Sequence, residues 1–185
     1  MRKDFGSKPW FYPMPVLVVG TYNADGTADA MTAAWGGLYE ADMVELCLSH
    51  SHKTFDNISA CGAFTVSFAD LKHLREADYL GLVSAHSEPD KLAKAGLHAE
   101  RSAFVYAPVI AELPMALECE LVKVNEDGNI IGRIVNISVD ESTLAADGKP
   151  DATKIAPISY DGVRNEYFVL GEKVGRAFHD GAALK

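Results

Sequence analysis

Most apolar residues of this chain lie in short runs whose spacing is typical of β-strands. Residues 14–22 are almost continuously apolar and rich in β-branched side chains, which predicts a buried strand. Residues 23–26 read Asn-Ala-Asp-Gly, and an Asp-Gly pair is a strong hairpin signal. A second strand is therefore predicted from residue 27 towards residue 34, and a third at residues 43–48, where apolar and polar side chains alternate.

Between residues 51 and 61 the spacing of apolar side chains changes to that of a helix. Phe55 and Ile58 recur at helical spacing, Ser51 is a candidate N-cap, and Gly62 is a candidate stop. Three further elements are predicted: a strand at 64–68, a helix at 71–83 and a short helical turn at 89–95 that ends before Gly96.

The second half of the chain is richer in strands. Residues 115–125 and 130–139 are predicted to form a long hairpin around the turn sequence Glu-Asp-Gly-Asn. Residues 144–156 suggest a polar loop or short helix, and the aromatic residues near 160–169 indicate one last strand. The whole pattern predicts one domain over residues 1–185, mainly antiparallel β with a few short helices, in which closure into a barrel removes exposed sheet edges.

Charge and composition exclude some classes of binding partner. The chain has 185 residues, 48% of them hydrophobic, which is enough for a sizeable core. Its formal net charge of −9 makes nucleic acid and anionic membrane surfaces unfavourable partners. No apolar run approaches the roughly 20 residues of a membrane helix, and the first residues lack the apolar segment of a secretory signal. We therefore expect a cytoplasmic protein whose anionic ligands need a local basic pocket.

Several common site types have no signature in this sequence. The three cysteines, Cys47, Cys61 and Cys119, include no C-x-x-C pair, so neither a disulfide framework nor a cysteine metal site is predicted. Buried free thiols are expected instead. The fingerprints of a Rossmann domain, a P-loop and an α/β-hydrolase nucleophile elbow are also missing.

A polar cluster at residues 49–54, Ser-His-Ser-His-Lys-Thr, is the first candidate for ligand binding. It lies where a predicted strand leads into a helix, and the free N–H groups of a helix start favour an anion such as phosphate. The alternative is an ordinary helix cap with solvated polar neighbours. A metal site at His50 and His52 is disfavoured because no third ligand is near in the sequence.

Two other segments are weaker candidates for ligand binding. Residues 29–37 combine small side chains with Trp35, so a flat ligand can approach the backbone there; the alternative is a packed strand with a core tryptophan. Lys91 follows Asp90 at a predicted helix start. A lysine there is usually solvated, and it gains interest only if the chain folds it back towards a phosphate.

The order and spacing of many short segments resemble one known family. The segments are PVLV at 15–18, MTAAW at 31–35, HKT at 52–54 with NI at 57–58, FTV at 64–66, DK at 90–91 with GL at 96–97, APVI at 107–110, LEC at 117–119, GRIVN at 132–136 and GEKVGRAF at 171–178. Together they resemble the flavin reductase-like, FMN-binding split-barrel family, which includes flavoredoxins.

This resemblance implies a split β-barrel of Greek-key type and a homodimer with one FMN per subunit near the subunit interface. It implies flavin-ring contacts from the strand at 31–35, with backbone groups bonding the polar edge of the ring, and phosphate contacts from the cluster at 49–54 together with Lys91. The cofactor-binding residues implied by position are Asp29, Met31, Thr32, Ala33, Ala34, Trp35, Ser49, His50, Ser51, His52, Lys53, Thr54 and Lys91.

The chain departs from the family pattern at two places. Asp29 stands where the family commonly has Asn, and a carboxylate there is expected to weaken flavin binding or shift the flavin potential. Relatives also tend to place a histidine near the long hairpin turn, whereas this turn reads Asp127-Gly128-Asn129.

The resemblance implies NAD(P)H:FMN oxidoreduction, in which hydride passes from nicotinamide C4 to flavin N5 and no catalytic side chain is required. One alternative is an electron-transfer protein that holds FMN tightly and serves a protein redox partner. A second alternative is a non-catalytic ligand-binding barrel.

Overall fold

Antiparallel strands make up most of the regular structure. The computed structural model describes residues 1–185, apart from the side chain of Ala183. The strands described are β1 (Met14–Pro15), β2 (Leu17–Tyr22), β3 (Ala28–Ala33), β4 (Gly36–Glu40), β5 (Met43–Leu46), β6 (Ala63–Phe68), β7 (Ala99–Arg101), β8 (Pro108–Ile110), β9 (Met115–Val124), β10 (Ile130–Val139), β11 (Ile158–Asp161) and β12 (Glu166–Val169). The helices are α1 (Lys53–Cys61), α2 (Leu74–Leu82), α3 (Lys91–Lys94) and α4 (Ala152–Ile155), with 3-10 helices at Glu141–Thr143 and Asp180–Leu184.

Seven of these strands form one antiparallel sheet in the order β3-β2-β6-β9-β10-β5-β4, so that β3 and β4 lie at its two edges. A three-stranded sheet, β1-β11-β12, and the pair β7-β8 complete the strand pairing. The large sheet curls into a half-barrel. The predicted fold, a mainly β split barrel with a few short helices, is confirmed. The expectation that closure removes the sheet edges is wrong, because β3 and β4 remain edge strands.

Both faces of β2 are buried, which explains why the residues of this strand and those just before it are almost all apolar. Leu17 and Val19 pack into a cluster that includes Ile58 of α1. Val16 and Val18 point to a second cluster, to which α2 and α3 contribute Leu80 and Leu92 among others. A strand covered on both sides gains burial at every residue, so alternation disappears from its sequence. The helices α2 and α3 therefore lie across the sheet from α1.

The two hairpins predicted from Asp-Gly pairs are confirmed. β2 pairs with β3, and Gly26 at the turn has a φ of 83°, a conformation that favours glycine. β9 pairs with β10 over nearly their whole length, around a turn in which Gly128 has a φ of 84°. These turns fix the register of the sheet's long strands.

The structure corrects several details of the sequence prediction. β4 was missed, because two glycines and four exposed positions hide its pattern, and the short pair β7-β8 was missed as well. The last predicted strand is two strands, β11 and β12. Ser51 is not the N-cap of α1: the helix starts after His52 without a side-chain cap, and the Ser51 amide instead donates to Ser49 Oγ.

In the described part of the chain, no helix is long and apolar enough to cross a membrane. Among the same residues, no cluster of three or more His, Cys, Asp and Glu side chains is placed to hold a metal ion. The expectation of three buried thiols is wrong for Cys47, which is exposed, and Cys61 is only half-buried. Cys119 is buried as expected.

Candidate functional site

A cleft of about 180 Å³ lies where the start of α1, the strand β3 and the loop after α2 meet. We call it the Lys91 cleft. Its lining residues are Met31, His52, Lys53, Thr54, Lys91 and the segment 80–85. Residues that are distant in sequence, at 31, 52–54 and 91, are thus brought together around one small polar space.

Lys91 is the most unusual member of this lining. Its side chain is folded inward, and the residue is only 2% exposed. The ammonium group donates hydrogen bonds to the carbonyl oxygens of Leu80, at 3.4 Å, and Val83, at 3.2 Å. Burial lowers the pKa of Lys91, and the nearby Asp29 carboxylate opposes that shift. The lysine at the start of α3 is therefore not the solvated side chain that its position in the sequence suggests.

Asp29 lies next to Lys91 but does not line the cleft. Its carboxylate Oδ1 is 3.7 Å from Lys91 Nζ, and the residue is 1% exposed. Neither carboxylate oxygen has a hydrogen bond of good geometry among the described residues, although the Ala30 N–H and Lys91 lie near enough to favour the charged form. Burial raises the pKa of Asp29, and Lys91 counteracts the rise. The predicted departure from the family pattern therefore places a buried acid directly behind the cleft's buried cation.

The start of α1 supplies the other polar groups of the Lys91 cleft. Thr54 is buried, and His52 Nδ1 is buried without a hydrogen-bond partner in the described residues. Burial lowers the pKa of His52, and the Lys91 charge adds to this effect. With Lys53, these groups combine positive charge, a hydroxyl and the first N–H groups of a helix. Such a donor set fits a phosphate.

The other three members of the predicted phosphate cluster are not part of this lining. The hydroxyls of Ser49 and Ser51 are 2.8 Å apart and exposed. The His50 ring stacks on Phe55, with 4.3 Å between ring centroids. It also lies against the long hairpin turn, since a Cβ added to Gly128 would be 2.1 Å from His50 Nε2. A histidine thus reaches this turn from the α1 side, although the turn itself carries none.

Two larger clefts continue from the Lys91 cleft, the first beside β3 and the second beside the segment that joins β3 to β4. One, of about 330 Å³, shares Gly81 and Leu82 with the Lys91 cleft and is also lined by Thr32 and Ala34. The next, of about 490 Å³, shares Ala34 and is lined by Trp35. Lys53 and Trp35 therefore do not share a cavity: their clefts have no lining residue in common and are connected only through the cleft between them. We call the two larger clefts, without the Lys91 cleft, the β3 groove.

The side chains of residues 31–35, which lie at the end of β3 and just after it, point in different directions. Thr32, Ala34 and Trp35 line the β3 groove, and Trp35 is 58% exposed, so it is not a core tryptophan. Met31 lines the Lys91 cleft. Ala33 is buried in the core cluster on the α1 side and lines none of the three clefts.

The sequence did not predict that α2 and the β11-β12 hairpin form one wall of the β3 groove. Tyr167 donates a hydrogen bond to Asp78 Oδ1 at 2.8 Å, and burial together with this bond raises the pKa of Tyr167 to about 12. Tyr160 and Asn165 complete the wall. The one available signal was Gly81, a glycine inside a helix: a Cβ there would lie 3.4 Å from Thr32 Cβ, which marks a close approach of helix and strand.

Comparison with known proteins gives consistent results. A family model described as a flavin reductase like domain matches residues 10–155. A solved structure of flavoredoxin from Desulfovibrio vulgaris (Miyazaki F) is 37% identical, with a TM-score of 0.95 over 98% of this chain and 100% of that one. A flavoredoxin from Methanosarcina acetivorans is 29% identical, with a TM-score of 0.91 over 100% of both chains.

A sequence relative without a described function also matches. It is a protein of Aeropyrum pernix, described as uncharacterized, that is 32% identical over 120 residues. These residues are 64% of this chain and 45% of that protein, so the matched region spans less than half of the relative's length.

Proposed function

This chain belongs to the flavin reductase-like family, and on that basis we propose that it binds FMN and exchanges electrons with a protein redox partner. The observation that carries the proposal is the continuity between the Lys91 cleft and the β3 groove, because FMN is a molecule with a phosphate at one end and a flat ring at the other. The similarity to the Desulfovibrio vulgaris flavoredoxin, which extends over nearly the whole chain, favours electron transfer over the other functions of such folds.

The Lys91 cleft would hold the phosphate end of FMN. Lys91 and Lys53 would supply positive charge, and Thr54 and the first N–H groups of α1 would donate hydrogen bonds. This local basic site is needed because the formal net charge of the chain is −9. The remaining residues of the cluster, Ser49, His50 and Ser51, stay predicted contacts that the lining of this cleft does not include.

The β3 groove would hold the flavin ring. Thr32 and Ala34 would lie along its length, and Trp35 would stand at its open end. Bound FMN supplies the redox chemistry, whereas the protein binds and orients it. An exposed Trp35 leaves the outer end of the groove accessible, which suits electron exchange with another protein.

An NAD(P)H-dependent flavin reductase is the second candidate. The outer cleft of the β3 groove, of about 490 Å³ beside Trp35, supports it, since it has space for the ring of a second nucleotide beyond the flavin ring. NAD(P)H would then be a co-substrate.

We also propose that the functional unit is a homodimer. The support comes from the N-terminal arm, where Trp10, Phe11 and Tyr12 are exposed, and Phe11 lines the Trp35 cleft. Large apolar side chains beside a binding cleft are typical of surfaces that a partner covers. Light scattering coupled to gel filtration should give twice the 20.0 kDa chain mass, and a monomer at micromolar concentration would contradict the dimer.

The visible absorption spectrum of freshly purified protein tests the main proposal. We expect a flavin spectrum and release of FMN on denaturation. Lys53→Ala should weaken FMN binding, while Lys94→Ala, at an exposed lysine outside the cleft, should not. A colourless protein that leaves the fluorescence of added FMN unchanged would instead indicate a non-catalytic barrel.

Steady-state assays separate the two redox functions. Rapid reduction by a protein donor, with negligible NADH or NADPH oxidation in excess FMN, is the result expected for an electron-transfer protein. Fast nicotinamide oxidation under those conditions would identify a flavin reductase.

A further inference from the structure

Asp29 is exceptional among the buried carboxylates of this chain. Glu118 accepts hydrogen bonds from Ser102 and Asn136, and Asp70 accepts two from His73. Asp29 instead has Lys91 at 3.7 Å and no hydrogen bond of good geometry from any described residue. A buried polar group without partners is costly, so its presence calls for an explanation.

The position of the pair suggests that explanation. Lys91 lines the cleft, Asp29 lies behind it, and both are almost fully buried. A phosphate in the cleft and the Asp29 carboxylate would therefore compete for the same ammonium group. Two anions that share one cation in a poorly solvated site repel each other, and protonation of one relieves the repulsion.

We propose that Asp29 is a positioning residue that makes phosphate capture proton-coupled: as the phosphate end of the flavin binds Lys91, the Asp29 carboxylate takes up one proton from solvent. The inference rests on the proposed FMN site and adds that the negative charge of Asp29 is neutralised when the phosphate binds. Once Asp29 is neutral, the whole Lys91 charge is directed to the phosphate.

The groups around Asp29 determine whether FMN affinity rises or falls with pH. Lys91 of α3 and Lys53 of α1 act on its charge, and α2 contributes the carbonyl oxygen of Leu80 to Lys91. Burial already raises the pKa of Asp29, and a bound phosphate would raise it further. A group whose pKa is higher in the bound state favours binding as pH falls, so FMN affinity should rise as pH falls through the bound-state pKa.

Three other groups exchange protons on binding and must be separated from Asp29. His52 lines the cleft, and a bound phosphate would favour its protonated form. Burial lowers the pKa of Lys91, and a bound phosphate would favour its protonated form as well. The phosphate itself has a second pKa of about 6, and binding to cations favours its dianion. The phosphate and Lys91 effects remain in the Asp29 and His52 variants, whereas the Asp29 and His52 effects are removed by their own substitutions.

Isothermal titration of flavin-free protein at several pH values from 5 to 8, in two buffers of different ionisation enthalpy, measures the protons taken up. The ligands are FMN and riboflavin, which has the ring but no phosphate. In the pH range between the free and bound pKa of Asp29, wild type should take up a proton with FMN and none with riboflavin. Asp29→Asn should lose this uptake and bind FMN roughly ten-fold more tightly, because one unit of pKa difference corresponds to a ten-fold change in affinity. Riboflavin affinity should stay the same.

Asp147→Asn is the matched control, since it removes an acidic charge from an exposed turn; it should change neither uptake nor affinity. Equal proton uptake with FMN and riboflavin in wild type would overturn the inference, and this result needs no variant to fold. Uptake that persists in Asp29→Asn would overturn it as well: its loss in His52→Gln would assign the proton to His52, and its persistence there too would assign it to Lys91. Absence of FMN binding would instead contradict the proposed function.

Discussion

The Thr32 hydroxyl donates a hydrogen bond to the Ala77 carbonyl oxygen across 2.5 Å, and this bond ties β3 to α2. Gly81 approaches the same threonine from the next turn of the helix. Thr32 and Gly81 both line the part of the β3 groove that adjoins the Lys91 cleft. The width of the groove is therefore set by a direct contact between its strand wall and its helical wall.

Thr32→Val removes this bond with little change in side-chain shape. We expect the free energy of unfolding to fall by about 1 kcal/mol, the usual contribution of one hydrogen bond, and FMN affinity to fall with it. Urea unfolding and FMN titration measure the two effects. Thr153→Val, which removes an exposed hydroxyl bonded to Asp151, is the control for stability. Unchanged stability in Thr32→Val would show that the contact does not hold α2 against β3.

Trp35→Ala should affect binding and leave stability nearly unchanged. Because Trp35 is 58% exposed, its loss should change the free energy of unfolding by less than about 0.5 kcal/mol. An aromatic contact with the flavin ring contributes about 0.5–1.5 kcal/mol, so FMN affinity should fall roughly two- to ten-fold. Fluorescence titration with FMN checks this. Phe104→Ala, at an exposed aromatic residue outside these clefts, should bind FMN like wild type, and equal affinity of both variants would argue against Trp35 as a ring contact.

Gly132→Ala should destabilise the sheet through overpacking. A Cβ at this position in β10 would lie 2.3 Å from Cζ of Phe64, a ring with no solvent exposure and no space to move. We expect a loss of about 1–3 kcal/mol in the free energy of unfolding. Gly37→Ala in β4, where an added Cβ meets nothing within 4 Å, should cost nothing measurable. Similar urea midpoints for the two variants would contradict the packing of Phe64 against β10.

The three thiols should react with a disulfide reagent at different rates. Burial raises the pKa of Cys119 to about 12, so at pH 8 only about one molecule in ten thousand carries its thiolate. Cys119 should therefore react only on unfolding, and exposed Cys47 first. Absorbance of the released thiol at pH 8 measures this, and Cys47→Ser should remove the fastest phase. A fast phase that survives this substitution would contradict the assignment.

Local patterns predicted most of the fold, and the exceptions have physical causes. The hairpin of β9 and β10 was found because its turn residues and long apolar runs agree. β4 was missed because its side chains are mostly exposed and carry no apolar alternation. β11 and β12 were merged although Gly162 and Asn165, the latter with a φ of 56°, mark the turn between them.

The candidate site was less predictable because it depends on contacts between distant segments. The helix start at 52–54 was recognised from local chemistry, but the inward turn of Lys91 depends on how α3 follows α2. The burial of Asp29 likewise depends on α2 and α3, which follow β3 far along the chain and pack against it. Tyr167 enters the wall through a hydrogen bond to Asp78, 89 positions away in the chain. No local pattern encodes such a pairing.

The position of β3 at the edge of the sheet affects which amino-acid substitutions the strand tolerates. This strand has a sheet neighbour, β2, on one side only, so peptide groups along its outer side have no strand partner. A planar ligand recognised by those groups depends on the path of the main chain and little on which side chains the strand carries. Substitution of Met31 by other residues would then leave such a ligand bound, whereas a proline would remove a backbone donor and weaken recognition there.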